Sequence, residues 1–527
     1  MAIQHRSPSN EPPSADHPGM SRRRLLGRFG IAAAGAAAIS TPTIAAAATD
    51  GETRALATPA DRFGRIFPDL PSFNVDPDDR VIAALTDMGR PGGMLDAKDN
   101  LGVGPVLLIT DPAQSVGNRD NPTHTAGTTF LGQFLDHDMT FDISSTLGRA
   151  TAPENTQNLR TPALDLDSVY GNGPTAMPML YESDRIKMRI ESGGLFEDLP
   201  RQSDGRAIIS DPRNDENMVI SGLQAAFILF HNRVVDQLIS QAVPTSQLFA
   251  QARRLVTWHY QWIIVNEFLP QIIGAAMVRD ILSGGRRWYR PEPGPAYIPV
   301  EFQGAAYRFG HSMVRPSYRA NMAGNPDGTP FFGMIFDPAG EGQPDPVDLR
   351  GGRRARRRFI GWQTFFDFGD GNVRPNKRID RQISTPLFRL PLGTIASGTP
   401  PISLAVRNLL RQVTWSIPAG QRIAQRMGVQ MLHLPELSGY GKALENHTPL
   451  FYYVLAEAEM LANGLTLGPV GGRIVGEVFL GLLQLDPNSY LAAQPGWRPT
   501  LPSRTPGNFR MTDLLRFARV DPASRGQ

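Results

Sequence analysis

Ten residues, Gly132 to Phe141 (GQFLDHDMTF), constrain this chain more than any other stretch. They set an amide, an imidazole and two carboxylates among Phe134, Leu135, Met139 and Phe141. Burying such a cluster is costly unless each polar group has a partner or a task. On a helix, Gln133 and His137 are four residues apart and share a face, with Asp136 close to it. Asp138 points a quarter-turn or more away. The stretch therefore predicts one pocket lined by Gln133, Asp136 and His137, and a second site served by Asp138. Taken alone, the Asp-His-Asp run reads equally well as a surface or capping feature, so the partners must come from the rest of the chain.

Composition narrows the chemistry. The 527 residues include no cysteine, which excludes disulfides, thiolate metal sites and a cysteine nucleophile. Nine histidines remain as nitrogen ligands. A formal net charge of +3 gives a nucleic-acid partner no support. With 41% hydrophobic and 20% charged residues, the chain has the composition of an ordinary globular protein.

The first 48 residues read as a leader. Residues 1–20 are polar and rich in Pro and Ser, a composition expected to be disordered. Ser21-Arg22-Arg23-Arg24-Leu25-Leu26-Gly27 and an Ala-rich apolar run to Ala48 follow. Together they resemble a twin-arginine export signal, with Ala46-Ala47-Ala48 as the cleavage site. Such signals use the twin-arginine export machinery and carry folded proteins, many with a cofactor. The expected location is the periplasm or outside the cell. No later run of 18 apolar residues occurs, so no membrane span is expected.

The mature chain reads as mainly α, a large single domain with long loops and few short strands. Residues 49–122 look irregular and are expected to pack on a helical domain spanning 123–527. Apolar residues spaced by three and four predict helices over Met218–Val243 and Thr245–Ile273, with Pro270 as a kink or an end. Others are expected over 302–314, 402–425, 450–461, 474–483 and 511–515. The segment Thr161–Gly173 (TPALDLDSVYGNG) reads as a loop carrying Asp165 and Asp167. The basic run Arg350–Arg358 reads as a solvated loop. His231 and His259 read as packing residues within apolar helices. His124 precedes the polar-cluster helix and is read the same way.

Three later segments place polar residues at helical spacing in or beside apolar helices: Arg213 with Glu216, Arg308 with His311, and Asn408 with Arg411. One histidine to ligate iron, a second for acid–base work, and arginines for a peroxide bond and for carboxylates make a coherent set. Gly132-Gln133-x-x-Asp136-His137-Asp138 resembles the distal signature of the animal-type haem peroxidases, the peroxidase–cyclooxygenase superfamily. The four motifs occur in the family's order, and the resemblance runs from about residue 60 to 520.

The resemblance implies a helical haem peroxidase fold, haem b and Ca²⁺. It makes His137 the distal histidine, Gln133 the distal glutamine and Arg213 the distal arginine. His311 becomes the iron ligand, with Asn408 accepting its other ring N–H. Arg308 and Arg411 fall near the propionates. Asp136 and Glu216 match two carboxylates that form ester bonds to haem in mammalian members. Asn217 stands where one member has a sulfonium-forming methionine, so that link is not expected. Calcium is expected at Asp138, Thr161, the Ala163 carbonyl, Asp165 and Asp167. The implied activity is reduction of H₂O₂ with oxidation of a halide, phenol or other small donor. The alternatives are a fatty-acid dioxygenase of the same superfamily and a non-catalytic secreted haem-binding or adhesion protein. The Tyr-x-Trp-His-Pro segment of the cyclooxygenases is absent.

Overall fold

Periodicity accounts for most of the helices, and Pro and Gly chemistry for where they break. The structure, a computed structural model, describes residues 61–73, 79–395, 397–441 and 443–527. The leader and export signal expected over residues 1–48 lie outside the described residues. Helix α1, Asp79–Gly89, is built on Val81, Ala84, Leu85 and Met88, all buried. Helix α2 is Gly104–Thr110. The segment 49–122 thus holds two helices where an irregular chain was expected. Its apolar pieces are short, but the spacing of three and four gives α1 a face to bury.

Helix α3, Ala126–Met139, carries the polar cluster. Its first amides are satisfied by loop carbonyls, Ala126 N by Arg374 and Gly127 N by Phe365, each at 2.8 Å. Helix α4, Met218–Ser240, starts at Asn217, whose side chain accepts from Val219 N and Ile220 N at 3.1 and 3.0 Å. Phe134 of α3 stacks on Phe227 of α4 with centroids 4.8 Å apart. Each such buried ring contributes roughly 1.5–3 kcal/mol. Only α4 is by itself long and apolar enough to cross a membrane among the described residues, and 83% of its apolar window is buried within the protein.

Helix α5, Thr245–Ile263, widens into a π-turn at Ile264–Phe268 and closes as Leu269–Ile273 at Gly274. The π-turn presses Phe268 onto α3, where a Cβ on Gly132 would lie 3.3 Å from the ring. Then follow α6, Ala275–Gly284, α7, Leu404–Thr414, α8, Gly420–Met427, α9, Leu450–Ala462, α10, Pro469–Leu485, and α11, Met511–Phe517. Among the described residues the strands form four short pairs, such as Asp120–Thr125 with Pro375–Lys377.

Two expected helices are divided. The stretch 302–314 becomes Val300–Gln303, a 3₁₀ turn Ala306–Phe309 and Gly310–Met313. The break falls at Gly304, where a Cβ would meet Trp415 and Ile417 at 2.8 Å, and at Ala305, whose backbone leaves the helical region. The stretch 402–425 splits into α7 and α8. Pro418 has no N–H to give, and Gln412 Nε2 caps the carbonyls of Ile417 and Pro418 at 2.7 and 3.2 Å.

Candidate functional site

Helix α3, the turn before α4, the short helix at 310–313 and the start of α7 enclose one cavity. Its atom-free space is 1390 Å³, with the solvent at its mouth included. Gln133, Asp136, His137, Arg213, Glu216, Arg308, His311 and Arg411 all line it. Asn408 reaches it through His311. These expected site residues, spread over more than 270 positions, are therefore brought together. Asp138, Asp165 and Asp167 form a separate cluster.

His137 is buried, and its Nδ1 lies 2.8 Å from Asn214 Oδ1. Burial, with the Arg213 charge nearby, lowers its pKa to about 4. It is a neutral imidazole at physiological pH. Its Nε2 is 3.9 Å from Glu216 Oε1. Burial raises the Glu216 carboxyl to about 8. Both groups are then neutral at pH 7, so this contact is dipolar rather than ionic. Gln133 Nε2 donates to Glu216 Oε1, and Asn217 Nδ2 donates to Gln133 Oε1 at 3.3 Å.

Arg213 is fixed by Asp211, which caps the turn 212–215 by accepting from Arg213 N at 2.9 Å. The same carboxylate accepts from Arg213 Nε at 3.0 Å and Nη2 at 2.7 Å. Burial alone would raise the Asp211 pKa, but Arg213 and Arg160 hold it below the usual carboxylate range. The guanidinium also lies 4.3 Å from the Phe141 ring centroid and donates to the His137 carbonyl at 3.1 Å. Its direction is set before any ligand arrives.

In the same cavity, burial beside Arg308 lowers the His311 pKa to about 3. The amide nitrogen of Asn408 is 2.7 Å from His311 Nδ1, and Asn408 Oδ1 is buried with no hydrogen-bond partner. A half-turn of the amide exchanges the two ends in nearly the same volume. Oδ1 then accepts from Nδ1–H, and Nε2 is left with a lone pair for a metal. Burial and the Arg411 charge lower Arg308 to about 9 and Arg407 to about 10. Arg308 donates to the Gln303 carbonyl at 2.8 Å, and Arg411 pairs with Asp142 at 3.4 Å. Cations crowded into one cavity fit an anionic ligand, as two propionates would be. Two neutral imidazoles and these cations lining one cavity fit haem.

The carboxylates of Asp138, Asp165 and Asp167 lie within 4.8 Å of one another. Asp138 accepts from Leu166 N and Tyr260 Oη at 3.0 Å and from Ser168 Oγ at 3.2 Å. Thr161 donates through N to Asp167 and through Oγ1 to Asp165. Ala163 lies between them in the loop. Burial and the neighbouring carboxylates push Asp138 well up, and burial raises Asp167 to about 6 against the pull of Arg160. Asp167 Oδ1 is buried without a hydrogen bond. This mutual repulsion and the all-oxygen donor set fit a hard divalent cation.

Asp211, Asn214, Gln224 and Arg407 were not singled out from the sequence. No helical period relates Asp211 and Asn214 to His137. Arg407 had a visible signal, since it stands four residues before Arg411 on the same helix face. His231 and His259 are satisfied packing residues. His231 is bonded at Nε2 to the Ile186 carbonyl and at Nδ1 to Tyr170, and His259 at Nδ1 to the Leu255 carbonyl and at Nε2 to Leu501 N.

Comparison with known proteins agrees with the geometry. Residues 143–340 match the family model for animal haem peroxidase. That span contains Arg213, Glu216, Arg308 and His311 and leaves His137 and Asn408 outside it. The chain is 24% identical over 389 residues to a chorion peroxidase of Aedes aegypti, covering 69% of this chain and 45% of the relative. It spans less than half the length of the chorion peroxidases it matches. Among solved structures, peroxidase A from Dictyostelium discoideum superposes with a TM-score of 0.56 at 16% identity, over 89% of this chain and 97% of that one. A fatty acid alpha-dioxygenase from Oryza sativa gives 0.51 at 15% identity, over 70% of each chain. The likeness to these structures shows a shared helical peroxidase fold, which by itself does not separate peroxidase from dioxygenase chemistry.

Proposed function

We propose that this chain is an animal-type haem peroxidase that reduces H₂O₂ and oxidises a small donor such as a halide or a phenol. The observation that carries this reading is the pairing of His137, buried, and His311, half-buried, on one cavity, both neutral, with Arg213 held beside the first by Asp211. Haem held in this cavity would supply redox chemistry at its iron. His137 Nε2 takes a proton from the incoming peroxide and returns it to the departing oxygen. The Arg213 guanidinium stabilises charge developing as the O–O bond breaks. His311 would hold the iron through Nε2, with Asn408 Oδ1 accepting a hydrogen bond from Nδ1–H. Arg308 and Arg411 hold the propionates. Asp136 and Glu216 would form ester bonds to haem methyl groups, with peroxide as the two-electron oxidant of the methyl carbon and water as its product. Asp138, Thr161, Ala163, Asp165 and Asp167 hold calcium.

Export through the twin-arginine route, to the periplasm or beyond, belongs to the same reading and is checked by sequencing the N-terminus of exported protein. The functional test is His137→Ala. Peroxide-dependent donor oxidation should fall by about 10²–10⁴-fold with haem still bound. Parent-level turnover in that variant would refute the assignment. Oxygen uptake on linoleate without peroxide would support the dioxygenase instead.

A further inference from the structure

We propose that Asn214 and Gln224 are positioning residues that hold His137 in the tautomer with its proton on Nδ1. This rests on reading His137 as the general base. Asn214 Oδ1 is 2.8 Å from His137 Nδ1, and Asn214 Nδ2 donates to Gln224 Oε1 at 2.8 Å. Asn214 is fully buried, and Gln224 is 1% exposed. Gln224 stands on α4 among Ile220, Leu223 and Phe227, where an amide without a partner is costly.

The direction of the chain of bonds follows from donor chemistry. With Gln224 presenting Oε1, Asn214 turns its NH₂ toward it. Asn214 Oδ1 then faces His137 and accepts from Nδ1–H. Nε2, the atom on the cavity side near Glu216, is left with the lone pair. An imidazole with its proton on Nε2 could not take one from peroxide. Asn214 follows Arg213 in the turn capped by Asp211, so one turn delivers both the cation and the amide that orients the base.

The test uses the full chain with ¹⁵N-labelled histidine. A long-range ¹H–¹⁵N spectrum before haem is added should show His137 protonated at Nδ1 and bare at Nε2. Asn214→Leu should move it toward the Nε2–H form. After haem loading, the same variant should lose about 10- to 100-fold in kcat/KM for H₂O₂, with the KM for the donor and the haem content unchanged. If Asn214→Leu does not fold, Gln224→Glu and Gln224→Leu decide the matter. The carboxylate keeps an acceptor facing Asn214 and should hold the parent rate, whereas Gln224→Leu should lose it. Nε2–H in the parent protein, or equal rates in the two Gln224 variants, would overturn the proposal. Failure of the peroxidase reading is distinguishable, because His137→Ala would then keep the parent rate whatever the tautomer.

Discussion

The Tyr260 hydroxyl donates to Asp138 Oδ2 at 3.0 Å, so helix α5 grips the residue next to His137. Asp138 also takes donors from Leu166 and Ser168. One carboxylate therefore ties α3, α5 and the 161–168 loop together one residue from the proposed base.

Calcium bound at this junction would relieve the repulsion among Asp138, Asp165 and Asp167. Stripping the protein with EGTA should lower Tm by several degrees and reduce peroxide turnover while the haem stays ligated. Asp165→Asn should weaken the response to added Ca²⁺. An unchanged Tm with EGTA, and no rise on adding Ca²⁺, would remove calcium from the account.

Arg308 and Arg411 should matter for haem retention. Replacing either by Leu removes a charge-assisted bond and should weaken haem affinity on the order of 10-fold, read by transfer of haem to apomyoglobin. Arg407→Leu should act in the same direction. It has no carboxylate partner among the described residues and donates instead to the carbonyls of Thr399 and Pro401.

Covalent attachment of haem through Asp136 and Glu216, both on the cavity wall, belongs to the proposed function. Haem should remain with the protein on acid–acetone extraction after peroxide treatment. Part of it should become extractable in Glu216→Gln, and all of it in the double variant with Asp136→Asn. Complete extraction from the parent protein would rule the esters out.

A pH effect on stability is expected away from the cavity. Burial raises Glu457 from 4.5 to about 7, and its oxygens accept from Val470 N and Gly471 N at the start of α10. The folded state holds this proton more tightly than the unfolded chain does. Its contribution is present in full below pH 4.5 and is lost as pH rises through about 7, by up to roughly 3 kcal/mol. Tm measured from pH 4.5 to 7.5 should decline less steeply in Glu457→Gln. Parallel profiles would contradict the assignment.

Part of the site is legible because its members stand at helical spacing in the sequence. Gln133 and His137, Arg308 and His311, and Asn408 and Arg411 each appear at helical spacing in apolar surroundings. The groups that aim them were not legible. Asp211 caps a 3₁₀ turn, and Arg213 and Asn214 of that turn meet His137 across more than 70 residues. Likewise, the divided helix at 302–314 depends on Trp415 and Ile417 crowding Gly304, a contact that local periodicity does not encode. Helix α1 was hidden for the opposite reason, since its apolar run is short and its partner, α7, lies about 320 residues away.

The decisive measurement for haem ligation by His311 is the visible spectrum of the full chain loaded with haem, beside that of His311→Ala. The parent should bind one haem per chain with a strong Soret band that shifts on adding H₂O₂ and returns as donor is consumed. His311→Ala should lose the band or shift it in the absence of peroxide. A parent protein that binds no haem, or a variant with the parent's spectrum and peroxide response, would contradict the assignment of His311 as the iron ligand.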